Sequence, residues 1–134
     1  MHSKLTLETY NQTTLLSFEI TSFIYQFYND IWNQHKLDKI PLYYDDRIVL
    51  YNNKELTANE EIKAEISSAL IDIGSGPLII DTLTCNQSGE SNNWDVTAEW
   101  KIVLSSKDCN CILGITRFQI CNAKIRSEII NFVN

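Results

Sequence analysis

The chain has 134 residues and a formal charge of -6, from 11 basic and 17 acidic side chains. Its 4 glycines, 2 prolines and 44% hydrophobic residues exclude collagen-like, linker-rich and intrinsically disordered classes. A chain of this length buries roughly two-thirds of the surface that it exposes when unfolded, so it builds a core without metal or disulfide staples. We therefore expect a single domain over residues 1–134, with a polar lead at residues 1–12.

The charge balance and the apolar runs also predict where the protein acts. Binding of nucleic acid or of an anionic membrane needs clustered Lys and Arg, whereas the 11 basic residues here are scattered. No apolar run approaches the ~20 residues that cross a bilayer, and residues 1–10 lack the features of a secretory signal. We therefore predict a cytoplasmic protein with no nucleic-acid or membrane partner. Its four cysteines are then expected to be reduced: Cys85, Cys109, Cys111 and Cys121.

The first predicted element is a long amphipathic helix. Apolar residues recur at steps of three and four from about Thr14 to Asn33, which is the spacing of one helix face. Tyr25, Tyr28 and Trp32 add an aromatic edge beside that face. The helix therefore presents both aliphatic and aromatic side chains to its neighbours.

Two shorter helices and a strand follow. A helix is predicted from Leu37 to Tyr43, with Pro41 in its first turn, and a short strand from Arg47 to Tyr51. The sequence from Thr57 to Glu60 reads as a capping box, in which the threonine oxygen accepts from the backbone and the glutamate reaches back. A third helix is predicted to run from this box to Ile73.

From Pro77 onward the apolar period changes to two, which indicates strands joined by links too short for parallel crossovers. Helices first and strands afterwards predict an α+β fold in which helices cover one face of an antiparallel sheet. The third of these strands has apolar residues on both faces, so we expect the outer sheet face to meet another surface. The four predicted strands are Leu78–Asn86, Trp94–Leu104, Cys111–Cys121 and Lys124–Phe132.

Three short segments occur in a characteristic order. They are Phe27–Ile40, Tyr44–Asp46 and Phe118–Ile120, the last followed by the Lys124–Ile125 turn. The first is similar to the pattern Y-x-x-x-x-N-x-x-D-x-D-x-I of the nuclear transport factor 2-like superfamily, which includes SnoaL-like polyketide cyclases and ketosteroid isomerases. The resemblance covers roughly Phe23 to Phe132. It implies a cone-shaped fold, with three N-terminal helices on a strongly curved, mainly antiparallel sheet and a pocket between them.

The resemblance also implies candidate site residues. Tyr28 matches the oxyanion-hole tyrosine of ketosteroid isomerases, Tyr51 the position of their base, and Thr116 the position of their second oxyanion donor. A tyrosine with an ordinary pKa near ~10 is a poor base, and threonine is not an acid, so we expect no ketosteroid isomerase activity. We predict instead a pocket for a small, mostly apolar or polycyclic molecule. The predicted ligand-binding residues are Tyr28, Trp32, Tyr51, Trp100, Thr116 and Phe118.

Two other classes of function stay open. One is a lyase, cyclase or isomerase of the same fold that uses Tyr28 together with Asp81, an acid inside an apolar strand. The other is a structural dimerisation domain whose pocket is filled by its own aromatic side chains. No metal or cofactor is predicted, because nucleophile, phosphate-loop and dinucleotide motifs are absent and Cys109–Cys111 lacks further zinc ligands.

The outer face of the sheet predicts a homodimer. If Trp100 and Thr116 are cross-strand neighbours on the inner face, Glu99 lies opposite Arg117 on the outer face. An apolar strip with a charged rim suits a self-complementary two-fold contact. The strip consists of Val103, Leu113 and Ile115.

Overall fold

A computed structural model describes residues 17–73, 76–89, 92–105 and 110–133. Helix α1 is α-helical over residues 17–27 and continues into one wider π-helical turn at Tyr28–Asn33. A 3-10 turn at Leu37–Lys39 leads into α2 at Ile40–Tyr43, and α3 spans Asn59–Ile73. These bounds confirm the predicted helices, although the predicted start at Thr14 lies outside the described residues. Within the described ranges, no helix combines the length and apolar character needed to cross a membrane.

Six strands form one sheet in the order β2-β1-β6-β5-β4-β3. β1 and β6 are parallel, and all other neighbouring strands are antiparallel. The prediction of an α+β domain with a mainly antiparallel sheet is therefore confirmed. The strands are β1 (Val49–Tyr51), β2 (Lys54–Leu56), β3 (Leu78–Gln87), β4 (Asn93–Ser105), β5 (Asn110–Cys121) and β6 (Lys124–Val133).

The hairpin of β1 and β2 was not predicted from the sequence. Asn52 and Asn53 form its turn with φ values of 50° and 65°, a left-handed conformation that asparagine tolerates better than most residues. The side-chain oxygen of Asn52 accepts from the Ile130 backbone N–H at 2.7 Å, and the Asn52 N–H donates to the Glu128 carbonyl at 2.8 Å. The turn is thus fastened to β6, which fixes Tyr51 beside it.

The start of α3 differs from the predicted capping box by one residue. The helix begins at Asn59, and the backbone N–H of Thr57 donates to a carboxylate oxygen of Glu61 at 2.8 Å. Glu61, rather than Glu60, therefore reaches back over the first turn. The box pattern identified the right place, but the helix begins too late for Glu60 to reach Thr57.

Alternation along β4 is as predicted, because Trp94, Val96, Ala98, Trp100 and Ile102 are all buried on the inner face against the helices. The predicted register was wrong by two residues. Trp100 is the Cα partner of Gly114 rather than Thr116, and Glu99 lies opposite Ile115 rather than Arg117. The inner and outer faces are unchanged by this shift, because an even displacement preserves the direction of every side chain.

Candidate functional site

The π-helical turn of α1 carries Tyr28 and Trp32 to the inner face of the sheet. Its last residue, Asn33, fastens the turn to the edge of β3. The Asn33 amide nitrogen donates to the Leu78 carbonyl at 3.1 Å, and its amide oxygen accepts from the Leu78 N–H at 2.7 Å. Because single π-helical turns frequently occur at functional sites, this turn marks a candidate site.

Tyr28 and Trp32 are buried with unpartnered polar atoms. The Tyr28 hydroxyl and the Trp32 indole nitrogen find no hydrogen-bond partner among the residues that the structure describes. Burial, and secondly the charge of Glu128, raises the pKa of Tyr28 well above its usual value, whereas the neighbouring Thr116 hydroxyl acts in the opposite direction. Tyr28 is therefore a neutral phenol whose buried hydroxyl has the Thr116 hydroxyl as a polar neighbour.

Trp100 lies flat over a strand glycine. A Cβ atom at Gly114 would stand 2.2 Å from Cζ2 of the Trp100 indole, so only glycine leaves room for the ring. The indole N–H donates to Oγ1 of Thr116 at 2.8 Å. The ring of Phe132 meets Trp100 edge-on, with centroids 5.9 Å apart, and Phe132 is 54% exposed. Trp100 therefore separates the interior from a half-exposed aromatic ring.

Glu128 is a fully buried carboxylate on the inner face of β6. Phe118 in β5 and Tyr51 in β1 are its two Cα partners. The Tyr44 hydroxyl donates to Oε1 of Glu128, while Oε2 has no partner among the described residues. The inner face thus holds an acid that can accept or donate a further hydrogen bond.

Glu128 was not predicted as a site residue, because a β-bulge precedes it in β6. Strict alternation in β6 puts Glu128 on the same face as Arg126, which is exposed and reads as a solvent-facing residue. The observed pairs, Gln119 with Ser127 and Ile120 with Ile125, leave Arg126 as the extra residue of a bulge. Beyond the bulge, Glu128 turns inward, and no signal in the sequence marks the inserted residue.

Burial raises the pKa of the Glu128 carboxyl to about 7. The hydrogen bond from Tyr44 has the opposite, smaller effect and lowers this pKa. Burial and the charge of Glu128 also raise the pKa values of Tyr44 and Tyr51. None of the ion pairs among the described residues includes Glu128. Near neutral pH the carboxyl group therefore exchanges between its acid and its carboxylate forms.

The six predicted ligand-binding residues share one environment. All are buried, and Phe118 contacts both Phe27 and Tyr28 of α1 in edge-to-face geometry, at centroid distances of 5.8 and 6.0 Å. Within the set, Phe118 contacts Tyr28, and the Trp100 indole is hydrogen-bonded to Thr116 at 2.8 Å. The set comprises Tyr28, Trp32, Tyr51, Trp100, Thr116 and Phe118. Whether they hold a ligand stays a prediction.

The hypothesis that Asp81 is the acidic partner of Tyr28 is wrong. A bulge between Ile80 and Thr82 displaces Asp81 from the β3 ladder, and its side chain is 47% exposed. Its carboxylate lies 3.6 Å from the Lys101 ammonium group on the outer face. Glu128, not Asp81, is the carboxylate on the inner side of the sheet.

Three surface pockets lie away from this cluster. One of about 450 Å³ opens beside the bulge at Arg126, and one of about 250 Å³ lies next to it at Arg117, both along the outer face. A third of about 230 Å³ lies between the start of α1 and Trp94. Of the six predicted residues, only Phe118 lines any of the three.

Comparison with solved structures identifies the fold. A scytalone dehydratase-like protein from Novosphingobium aromaticivorans superposes with a TM-score of 0.67 at 10% identity, covering 92% of this chain and 89% of that one. A protein of unknown function with a cystatin-like fold from Nostoc punctiforme gives 0.67 at 13% identity, with 87% and 90% covered. A SnoaL-like polyketide cyclase from Agrobacterium tumefaciens gives 0.59 at 15% identity, with 83% and 89% covered.

No family model matches the chain, and no curated protein does so either. The structural matches nevertheless establish that it adopts the nuclear transport factor 2-like, cystatin-like α+β fold, as the resemblance implied. At these identities the match concerns the fold alone, because one fold hosts many functions.

Proposed function

We propose that the domain binds a small, mostly apolar molecule between α1 and the inner face of the sheet. The observation that carries this proposal is a set of three fully buried polar atoms without partners: the Tyr28 hydroxyl, the Trp32 indole nitrogen and Oε2 of Glu128. Buried polar groups are as a rule hydrogen-bonded. A ligand with an apolar body and a few polar groups supplies the missing partners.

The surroundings of these atoms set the character of the ligand. Apart from Thr116 and Glu128, the buried side chains of the inner face are aliphatic or aromatic. We place the entrance for the ligand at Phe132 and Trp100, because the half-exposed Phe132 ring packs edge-on against the buried Trp100 ring. The similar structures named for a polyketide cyclase and a scytalone dehydratase support a small organic ligand.

Binding is testable through the indole N–H signals in a proton–nitrogen NMR spectrum, with naphthylmethanol as the probe. We expect the signals of Trp32 and Trp100 to shift, since both line the proposed site. The signal of Trp94 serves as the internal control, because Trp94 lines the pocket beside the Arg126 bulge and the pocket at the start of α1. A shift at Trp94 alone would move the site to those pockets. No shift at any indole, also with phenyl and cyclohexyl alcohols, would favour a core filled by its own aromatic side chains.

Acid–base catalysis is a second candidate function, favoured by Glu128. Its free Oε2 atom and its pKa of about 7 suit a general acid or base at neutral pH, and Tyr28 stands close enough for its pKa to respond to that charge. A lyase, cyclase or isomerase reaction would then use Glu128 where the sequence suggested Asp81. Loss of turnover in Glu128→Gln with retained binding of the substrate would identify this function.

We also propose that the protein is a homodimer through the outer face of the sheet. Leu113, Ile79 and Val133 are each more than 40% exposed there, beside the half-buried Ile115. Lys101 lies between Ile79 and Leu113, and Glu99 lies beside Ile115, so charged side chains stand within and beside the apolar strip. Exposed apolar patches with a polar rim are typical of protein contacts.

Replacing Ile115 with glutamate tests this interface. Two like charges would be buried near the two-fold axis, so we expect the dimer to dissociate in sedimentation at micromolar concentration. Thr84→Glu, on the exposed outer face of β3 away from the strip, should leave the dimer intact. A wild-type protein that is already monomeric would contradict the proposed contact.

A further inference from the structure

The side chains around Glu128 form an aromatic cage that contains one carboxylate. Phe118 and Tyr51 flank Glu128 in the neighbouring strands, Tyr44 donates to its Oε1 atom, and Tyr28 contacts Phe118 with ring centroids 6.0 Å apart. All five residues of this cage are buried. No basic side chain among the described residues forms an ion pair with the carboxylate.

We propose that the ligand of this domain carries a protonated amine, which the Glu128 carboxylate and the rings of the cage bind together. This inference rests on the proposed function and assigns a chemical class to the same ligand. The amine pairs with Oε2 of Glu128, the carboxylate oxygen that Tyr44 leaves free, and the Tyr28 hydroxyl accepts a second hydrogen bond from it.

Charge complementarity is the physical reason for choosing a cation. A buried carboxylate is costly unless it is paired, and the protein supplies no cation of its own at this point. Aromatic rings stabilise a cation held over their faces, most strongly where water is excluded. A neutral ligand satisfies the hydrogen bonds of the cage but leaves the carboxylate without a counter-ion, so it binds more weakly.

Among Glu128 and the titratable groups that face it, Glu128 is the group whose charge changes near neutral pH. Tyr28, Tyr44 and Tyr51 all have raised pKa values and stay neutral there. Glu65 of α3, which acts on Tyr51, is paired with the Lys54 ammonium group at 2.6 Å. Binding of an amine therefore holds Glu128 ionised and releases a proton wherever the empty site is protonated.

Isothermal titration calorimetry with matched probes tests the inference on the full chain. The probes are amine and alcohol pairs on naphthyl, phenyl and cyclohexyl frames, for example naphthylmethylamine and naphthylmethanol. For any frame that binds, we expect the affinity of the amine above pH 7 to exceed that of the matching alcohol by about tenfold or more. Below pH 7 the amine affinity should fall by about tenfold per pH unit, with proton release detected as a buffer-dependent enthalpy.

Two variants separate the carboxylate from the rest of the site. Glu128→Gln should bind the alcohol as the wild type does, which shows that the site is folded, and should lose the preference for amines together with the proton release. Glu65→Gln is the matched control and should keep both. Equal binding of amine and alcohol would overturn the amine inference while leaving ligand binding intact. Failure of every pair to bind would overturn the proposed function itself.

Discussion

Glu128→Gln is expected to be more stable than the wild type above pH 7 and equally stable near pH 4. The folded protein holds the pKa of Glu128 at about 7, compared with 4.5 for an unperturbed glutamate, because burial disfavours its charged form. As the pH rises from 4.5, the unfolded chain loses this proton while the folded protein keeps it, so the free energy of unfolding falls until about pH 7. At about 1.4 kcal/mol per pH unit the wild type loses roughly 3 kcal/mol over this interval.

Urea denaturation of both proteins at a series of pH values measures this difference. Glutamine keeps an oxygen that accepts the hydrogen bond from Tyr44, so the variant isolates the charge from the contact. Glu55→Gln removes an exposed glutamate from β2, outside the proposed dimer contact, and should follow the wild-type curve. If the Glu128→Gln and wild-type curves run parallel from pH 4 to pH 8, Glu128 does not carry the perturbed titration.

The sequence predicts the structure well where a helix or strand has a regular pattern of apolar residues. Period and alternation predicted α1, α3 and the four long strands to within a few residues, because those elements bury one regular face. The same alternation assigned Trp100 and Phe118 correctly to the interior. The assignment of side chains to the two faces is unaffected by the register error between β4 and β5, because a shift of two residues keeps each side chain on the same face.

The parts that could not be predicted are those where regular geometry is interrupted. A bulge residue in β6 turns Glu128 inward, and another in β3 interrupts the alternation that grouped Asp81 with Ile79 and Leu83. The π-helical turn at Tyr28–Asn33 and the Asn52–Asn53 hairpin likewise depend on tertiary contacts. An inserted residue leaves no mark in a single sequence, because composition and period are the same on both sides of it.

Gly114→Ala is expected to destabilise the protein by about 1–3 kcal/mol, the usual cost of overpacking a core. The new methyl group would stand 2.2 Å from Cζ2 of Trp100, so the indole must leave its position and give up its hydrogen bond to Thr116. Without that ring, alanine in a strand is better than glycine by roughly 0.5–1 kcal/mol, because glycine loses more backbone entropy on folding. The sign of the substitution therefore depends on Trp100.

A double-mutant cycle with Trp100→Leu tests that dependence. Leucine is smaller than the indole, so Trp100→Leu alone costs several kcal/mol through the space that it leaves, of the order of ~3 kcal/mol. In that background Gly114→Ala should become neutral or stabilising, because the methyl group enters the vacated volume. The destabilisation of the double variant is then smaller than the sum of the two single effects by more than about 1 kcal/mol, as expected for residues in contact. Additive effects in urea denaturation would mean that Trp100 does not lie over Gly114.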